Sequence, residues 1–153
     1  MGAVVDRLAA LGLELPPVAA ALGAYVPAVR SRGLVYTSGQ LPVEAGELLA
    51  SGKVGSGVSE EVARECARRC ALNALAAAGS VCELDSIVRV VRVTGYVASD
   101  PTFCSQPAVI NGASELLVEI FGEAGRHSRE AVGVAALPLD APVEVSVVFE
   151  LEI

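Results

Sequence analysis

The stretch that decides the fold is SEEVARECARRCALNALAAAG, Ser59–Gly79, which predicts a long amphipathic helix. Ser59 followed by two glutamates is typical of a helix start, because a hydroxyl can cap the first turn and carboxylates favour the positive end of the helix dipole. Gly79 predicts the end of the helix. Small apolar residues recur at helical spacing and predict one buried face: Val62, Ala63, Cys66, Ala67, Cys70, Ala74 and Ala77. Leu72 and Leu75 fall on the other side, where we expect the N-terminal segment to cover them.

Strand patterns surround this helix. Tyr25–Arg30 and Leu34–Pro42 flank a turn at residues 31–33 and predict a hairpin, whereas Val43–Gly57 is rich in Gly and Ser and predicts a loop. The later pattern predicts a strand, a second helix and two strands: Ile87–Val97, Ser105–Gly122, Glu130–Ala136 and Val143–Ile153.

The predicted order β-β-α-β-α-β-β favours an α+β fold, with a mixed sheet that carries both helices on one face. A short helical segment and a proline-rich linker precede the first strand. We therefore divide the chain into an N-terminal extension, residues 1–22, and one domain, residues 23–153.

Composition excludes several classes of protein. The 153-residue chain carries a net charge of −7 and has no basic stripe, so binding to nucleic acid is not expected. Its apolar runs are too short for a membrane span and its N-terminus lacks signal-peptide features, which predicts a soluble cytoplasmic protein. The four cysteines form no CxxC pair and there is a single histidine, so we expect no metal site. So apolar a chain is expected to complete its core by forming an oligomer.

An ordered set of short motifs runs from the first strand to the last one. They are Tyr25, thirteen residues before the Ser38-Gly39-Gln40 run, LNAL at 72–75, Asp100 with Phe103, Asn111, Arg129 nine residues before Pro138, and Val143-Glu144-Val145. With these spacings, residues 23–153 resemble the Rid family, also called YjgF or endoribonuclease L-PSP-like. The run from Pro107 to Gly133, with GRHxRxAVG at its end, is similar to one divergent branch of that family.

The resemblance implies a chorismate-mutase-like fold and a homotrimer with a central barrel and clefts between subunits. It also implies a hydrolase that works without a cofactor and converts 2-imino acids into 2-oxo acids and ammonia. Arg129 would hold the substrate carboxylate and Glu144 would position water, while Tyr25, Ser38, Gly39, Asn111 and His127 would contribute to substrate binding.

The residue types suit these roles, although each has a structural alternative. An arginine can donate two parallel hydrogen bonds to a carboxylate, but Arg129 could equally be a surface residue beside a strand. A carboxylate among valines is costly unless it is paired or functional, yet strand alternation alone could place Glu144 on an exposed face. Asn111 could simply stabilise its helix, and the lone His127 could be structural.

Two other functions remain open on the sequence. One is a trimer without catalysis that binds a small carboxylate metabolite. The other is a ribonuclease, as in the family's older name, against which the acidic balance of the chain counts.

Overall fold

The structure is a computed structural model that describes residues 2–153. Helices and strands follow one another in this order: α1 (Ala3–Ala10), β1 (Ala28–Ser31), β2 (Leu34–Thr37), β3 (Val43–Glu44), β4 (Glu47–Leu48), α2 (Glu60–Ala78), β5 (Ile87–Ala98), α3 (Gln106–Phe121), β6 (Ser128–Val134) and β7 (Val143–Leu151). Short 3-10 turns occupy Leu84–Ser86, Gly122–Gly125 and Pro138–Asp140. No helix within the described residues is both long and apolar enough to cross a membrane.

Five strands form one mixed sheet in the order β1-β2-β7-β5-β6. The β5–β6 pair is parallel, and the other neighbours are antiparallel. This arrangement confirms the predicted α+β fold with a mixed sheet. Because β6 is an edge strand, residues at its free side are open to another molecule.

The segment that was predicted to be a loop, residues 43–57, contains a small hairpin instead. Val43 pairs with Leu48 and Glu44 with Glu47. The two residues between these strands, Ala45 and Gly46, have φ values of 51° and 82°. A two-residue turn with both φ positive fits the twist of a hairpin, but alanine rarely adopts that conformation, so this turn was not predicted.

Helix α2 forms where the sequence predicts it. The hydroxyl of Ser59 accepts a hydrogen bond from Val62 N at 3.2 Å, and Gly79 is the C-cap. The predicted apolar face is buried except at Val62, which is 44% exposed because it lies about a quarter turn from the centre of the stripe. Leu72 and Leu75 are buried as well, in the same hydrophobic cluster as two residues of α1, Val4 and Leu8.

Helix α3 lies very close to α2, and this contact fixes its position above the sheet. A Cβ atom on Gly112 would lie 2.0 Å from the carbonyl oxygen of Arg64, so only glycine fits there. Two ion pairs continue the contact along the helices, Arg64–Glu115 at 2.7 Å and Arg68–Glu119 at 3.2 Å. The α3 residues before and after Gly112 are thereby held near β6.

The sheet face that points away from the helices is left uncovered. Strand β7 alternates buried residues on the helix side with half-buried ones on this outer face. Large apolar side chains are exposed on other strands of the same face: Val29 of β1, Tyr36 of β2 and Val132 of β6, at 52%, 46% and 44%. Arg92 and Glu130 form an ion pair among them at 2.8 Å. An apolar face of this kind is typical of an interface between subunits.

Candidate functional site

Arg129 extends from β6 toward α3, where two side chains of the helix bind one nitrogen of its guanidinium group. Nη1 donates to Asn111 Oδ1 at 2.7 Å and to Ser114 Oγ at 3.2 Å. Asn111 and Ser114 lie three residues apart, so they share one face of the helix. The side chain is half-buried, and its orientation is fixed by these two contacts.

The histidine predicted to bind substrate belongs to the same cluster. His127 Nδ1 lies 2.6 Å from Gly125 O, and His127 Nε2 lies 2.8 Å from Ser114 Oγ. Burial lowers the pKa of His127 below 6.5, and the positive charge of Arg129 adds to this lowering, while the bond to Gly125 opposes it. The ring is therefore neutral near neutral pH. Asn111, Ser114, His127 and Arg129 are called the Arg129 cluster below.

The contacts of Arg129 leave one edge of its guanidinium free. Nη1 carries two hydrogens, and Asn111 and Ser114 accept one each. No hydrogen bond within residues 2–153 involves Nε or Nη2. These two nitrogens form the side-on edge of the group, which matches the two oxygens of a carboxylate.

Glu144 lies in a different environment, on the outer face of β7. It lines a cavity of about 900 Å³ and forms no hydrogen bond or ion pair with any described residue. Burial raises the pKa of this carboxyl above 4.5. A half-buried carboxylate without a partner can accept a proton or orient a water molecule more readily than a paired one.

The absence of a side chain at Gly39 makes room for Glu144. A Cβ atom at residue 39 would lie 2.2 Å from Glu144 Oε1. The neighbouring segment is held by two backbone hydrogen bonds between Gln40 and Val145, each within 3.0 Å. Gly39 therefore allows the carboxylate to lie against the backbone of the next segment.

Tyr25 and Ser38 line the same cavity, but their hydroxyl groups already have partners. Ser38 Oγ donates to Val26 O at 2.6 Å, and Tyr25 OH accepts from Leu22 N at 3.1 Å. The Tyr25 hydroxyl keeps its own hydrogen for a ligand. The Ser38 hydroxyl already donates its hydrogen to a backbone carbonyl, so it can only accept a hydrogen bond from a ligand.

One wall of this cavity comes from the N-terminal extension. The residues from Pro16 to Leu22 carry only apolar side chains, and all of them line the cavity. This space, with Tyr25, Ser38, Gly39 and Glu144, is called the Glu144 cavity below. The extension thus contributes to the same cavity as four of the predicted site residues.

Within one chain the Arg129 cluster and the Glu144 cavity do not meet. Arg129 faces the helices, whereas Glu144 lies on the opposite face of the sheet. Strand β5 lies between β6, which carries Arg129, and β7, which carries Glu144, so these two strands are about 10 Å apart. Glu144 also pairs with Tyr96, while Arg129 pairs with Val93, about 10 Å further along β5. One small ligand cannot touch both groups of the same chain.

The sequence analysis missed Ser114, which links Arg129 to His127. Its position three residues after Asn111 on the polar side of α3 is the signal that could have identified it. The cysteines take no part in either region. Cys66 and Cys70 are fully buried and unpaired, and burial raises the pKa of Cys66 to about 11. Residues 2–153 contain no group of three or more His, Cys, Asp or Glu side chains that could hold a metal ion.

Comparison with known proteins gives a consistent result. The family model described as "YjgF/chorismate_mutase-like, putative endoribonuclease" matches residues 5–151. Protein TCP17 of Trypanosoma cruzi is 40% identical over 152 residues, which are 98% of this chain and 95% of that protein. The match to the family model extends into α1, beyond the residues that carry the sequence motifs.

Two solved structures illustrate the range of similarity. A "putative endoribonuclease" from Shewanella oneidensis superposes with a TM-score of 0.93 at 40% identity, over 97% of this chain and 99% of that one. TdcF of Escherichia coli, whose structure contains bound serine, superposes with a TM-score of 0.64 at 25% identity, over 90% of this chain and 94% of that one.

Proposed function

The chain belongs to the YjgF/chorismate mutase-like family, and from that premise we propose that it hydrolyses small 2-imino carboxylic acids to 2-oxo acids and ammonia. The observation that carries the proposal is the free Nε–Nη2 edge of Arg129, which the chain's own contacts leave open. A guanidinium fixed at one end and free at the other suits a substrate carboxylate. The serine bound to TdcF is a small amino acid with the same carboxylate group.

The proposed site is shared between subunits of a homotrimer. The two regions lie too far apart in one chain for one small ligand, whereas the uncovered sheet face and the edge strand β6 offer surfaces for a neighbour. Arg129 of one subunit then faces Glu144 of the next across a cleft. Closed rings of identical subunits are a common solution for a surface of this kind.

The chemistry needs a bound substrate and one oriented water molecule. Arg129 holds the carboxylate, and Glu144 accepts a proton from the water as its oxygen attacks the C2 carbon of the iminium. Glu144 then returns the proton to the nitrogen and, as the C–N bond breaks, takes the proton of the new hydroxyl group, so that the 2-oxo acid and ammonia are released. Glu144 passes this last proton to ammonia or to solvent. Because imines hydrolyse spontaneously, orientation and proton transfer, each contributing about 10²–10⁴-fold, are sufficient.

The Glu144 cavity indicates that the substrate carries an apolar substituent. Its wall of apolar residues from Pro16 to Leu22 offers no hydrogen-bonding side chain, and its volume of about 900 Å³ exceeds what a three-carbon acid needs. Contact between apolar groups there contributes to binding in proportion to the buried area. We therefore expect faster turnover of imines derived from leucine or phenylalanine than of the imine derived from alanine.

The proposal is tested with imino acids generated in solution by an amino-acid oxidase, with catalase present to remove peroxide. Semicarbazide traps the remaining imine, so an active hydrolase lowers the rate of semicarbazone formation. We expect wild-type protein to lower it, and Arg129→Ala to abolish the effect. Arg126→Ala is the matched control, because Arg126 is exposed and, among the described residues, pairs only with Glu123 at 3.1 Å.

The same experiment separates a hydrolase from a binding protein. Glu144→Gln should retain affinity for 2-oxo acids in calorimetry but lose turnover, and Glu150→Gln, on the same face of β7, should lose neither. Wild-type protein that binds 2-oxo acids but does not change the rate of trapping would support a trimer without catalysis. Wild-type protein that does neither would overturn the proposed function.

A further inference from the structure

The polar contacts around Arg129 form a directed chain whose last members have no part in the proposed function. Nη1 of Arg129 donates to Ser114 Oγ, which lies 2.8 Å from His127 Nε2, and His127 Nδ1 lies 2.6 Å from Gly125 O. Four groups are thus connected by three hydrogen bonds.

The end of the chain decides the direction of every bond in it. A carbonyl oxygen can only accept, so Nδ1 of His127 carries the hydrogen and donates it to Gly125 O. In a neutral imidazole the other nitrogen must then accept. Ser114 therefore donates its hydroxyl hydrogen to Nε2, and its oxygen is left to accept from Arg129.

This direction determines which atoms of Arg129 remain available. Ser114 Oγ, oriented by the ring, holds one Nη1 hydrogen, and Asn111 Oδ1 holds the other at 2.7 Å. The guanidinium is planar, so fixing both hydrogens at Nη1 also fixes the plane in which Nε and Nη2 lie. Without the histidine, the serine hydroxyl could rotate and the guanidinium would lose one of its two restraints.

We propose that His127 and Ser114 are positioning residues that act as a hydrogen-bond relay and hold the side-on edge of Arg129 ready for a carboxylate. The inference rests on the proposed function for the identity of the ligand, but the relay itself does not depend on it. A preorganised guanidinium binds more tightly because less side-chain freedom is lost on binding.

The hydrogen position is tested directly, because His127 is the only histidine in the chain. Long-range nitrogen–proton correlation NMR on protein with labelled histidine reports which ring nitrogen carries the hydrogen. We expect the Nδ1–H tautomer at pH 7.5. An Nε2–H tautomer, an exchanging mixture or a charged ring would overturn the relay. This measurement requires no ligand.

The effect on binding is tested with a double-mutant cycle that uses 2-oxobutanoate as the probe. His127→Phe should weaken binding about tenfold, a loss of about 1.4 kcal/mol, because Ser114 is no longer held in the orientation that accepts from Arg129. His127→Gln, whose amide oxygen can accept from Ser114, should restore most of that affinity. In the Arg129→Lys background, where no guanidinium remains to be oriented, His127→Phe should change affinity less than twofold.

Each result decides the proposal. Equal losses in both backgrounds would mean that His127 acts on stability alone, and the relay would be rejected. Melting temperatures of all four variants identify any that fail to fold. If one does, the tautomer of His127 in wild-type protein decides the proposal. If wild-type protein binds no 2-oxo acid, the proposed function fails while the tautomer still decides whether the relay exists.

Discussion

The Arg129 cluster and the Glu144 cavity differ in how far the chain itself satisfies the charged group of each. Arg129 has both hydrogens of one nitrogen engaged by α3, and the serine that engages it is bonded in turn to a histidine. Glu144 has no polar partner among the described residues and is only given space, by Gly39.

The difference indicates different tasks. A side chain that binds a ligand in one orientation benefits from being preorganised by its neighbours. A side chain that accepts and returns protons benefits from having no partner that fixes its charge. Among the described residues, no carboxylate pairs with Arg129. Arg69, which lines the Glu144 cavity, is paired with Glu44 at 3.1 Å and forms no ion pair with Glu144.

Restoring activity by mixing two inactive variants is the strongest test of the comparison. In the proposed trimer each cleft takes Arg129 from one subunit and Glu144 from another. Arg129→Ala and Glu144→Gln should each be inactive alone. Unfolded together in equal amounts and refolded, they should recover about a quarter of wild-type turnover, since each cleft has about an even chance of receiving either intact residue.

The control is each variant unfolded and refolded alone, which should stay inactive. A mixture that also stays inactive, while native mass spectrometry shows that mixed trimers have formed, would place both groups in the same subunit. That outcome would contradict both the inference that the two groups lie too far apart in one subunit and the proposal of a shared cleft.

Gly39→Ala should damage the Glu144 cavity and leave the Arg129 cluster intact. The added Cβ would meet the end of the Glu144 side chain, which can swing away, so the fold is retained but the carboxylate is displaced. A displacement of about 1 Å at a reacting group costs about 10²-fold in turnover. We expect that loss in kcat, with the affinity for 2-oxo acids changed less than about threefold.

Gly57→Ala is the matched control, because a Cβ at residue 57 would meet nothing within 4 Å. It should leave kcat unchanged and, like other glycine-to-alanine changes at permissive sites, preserve or slightly raise stability. A Gly39→Ala protein with normal kcat would show that Glu144 does not need its observed position, and the role proposed for it would be lost.

Much of the fold follows from local pattern. The spacing of small residues in α2, the cap at Ser59 and the alternation of β7 each predict the element that forms. The same alternation puts Arg129 and Glu130 on opposite faces of β6, where Glu130 pairs with Arg92. These features depend on residues close together in the chain, and a single sequence contains them.

The arrangement of the candidate site does not follow in the same way. The separation of Arg129 from Glu144 depends on β5 lying between β6 and β7, and strand order is set by contacts between distant segments. The sequence of residues 16–22 predicts only a proline-rich linker, so their contribution to the Glu144 cavity could not be predicted either. The family resemblance named the candidate residues, but a single sequence does not show which of them meet.

The smallest expected effect is on stability, and it should have opposite signs in the two regions. Burial raises the folded-state pKa of Glu144, so the folded protein holds that proton more tightly than the unfolded chain does. The favourable contribution is complete below the unfolded pKa of about 4.3 and is lost as pH rises through the folded pKa. At pH 7 the ionised carboxylate is therefore a cost, which Glu144→Gln removes.

We expect Glu144→Gln to raise the melting temperature slightly at pH 7 and to match wild-type protein near pH 4, while Glu150→Gln shows no such gain. Ser114→Ala should lower the free energy of unfolding by about 1 kcal/mol at pH 7, because it removes hydrogen bonds within the Arg129 cluster. Denaturant titrations at the two pH values measure both. A Glu144→Gln protein less stable than wild type at pH 7 would mean that the carboxylate has a stabilising partner, and the contrast between the two regions would be wrong.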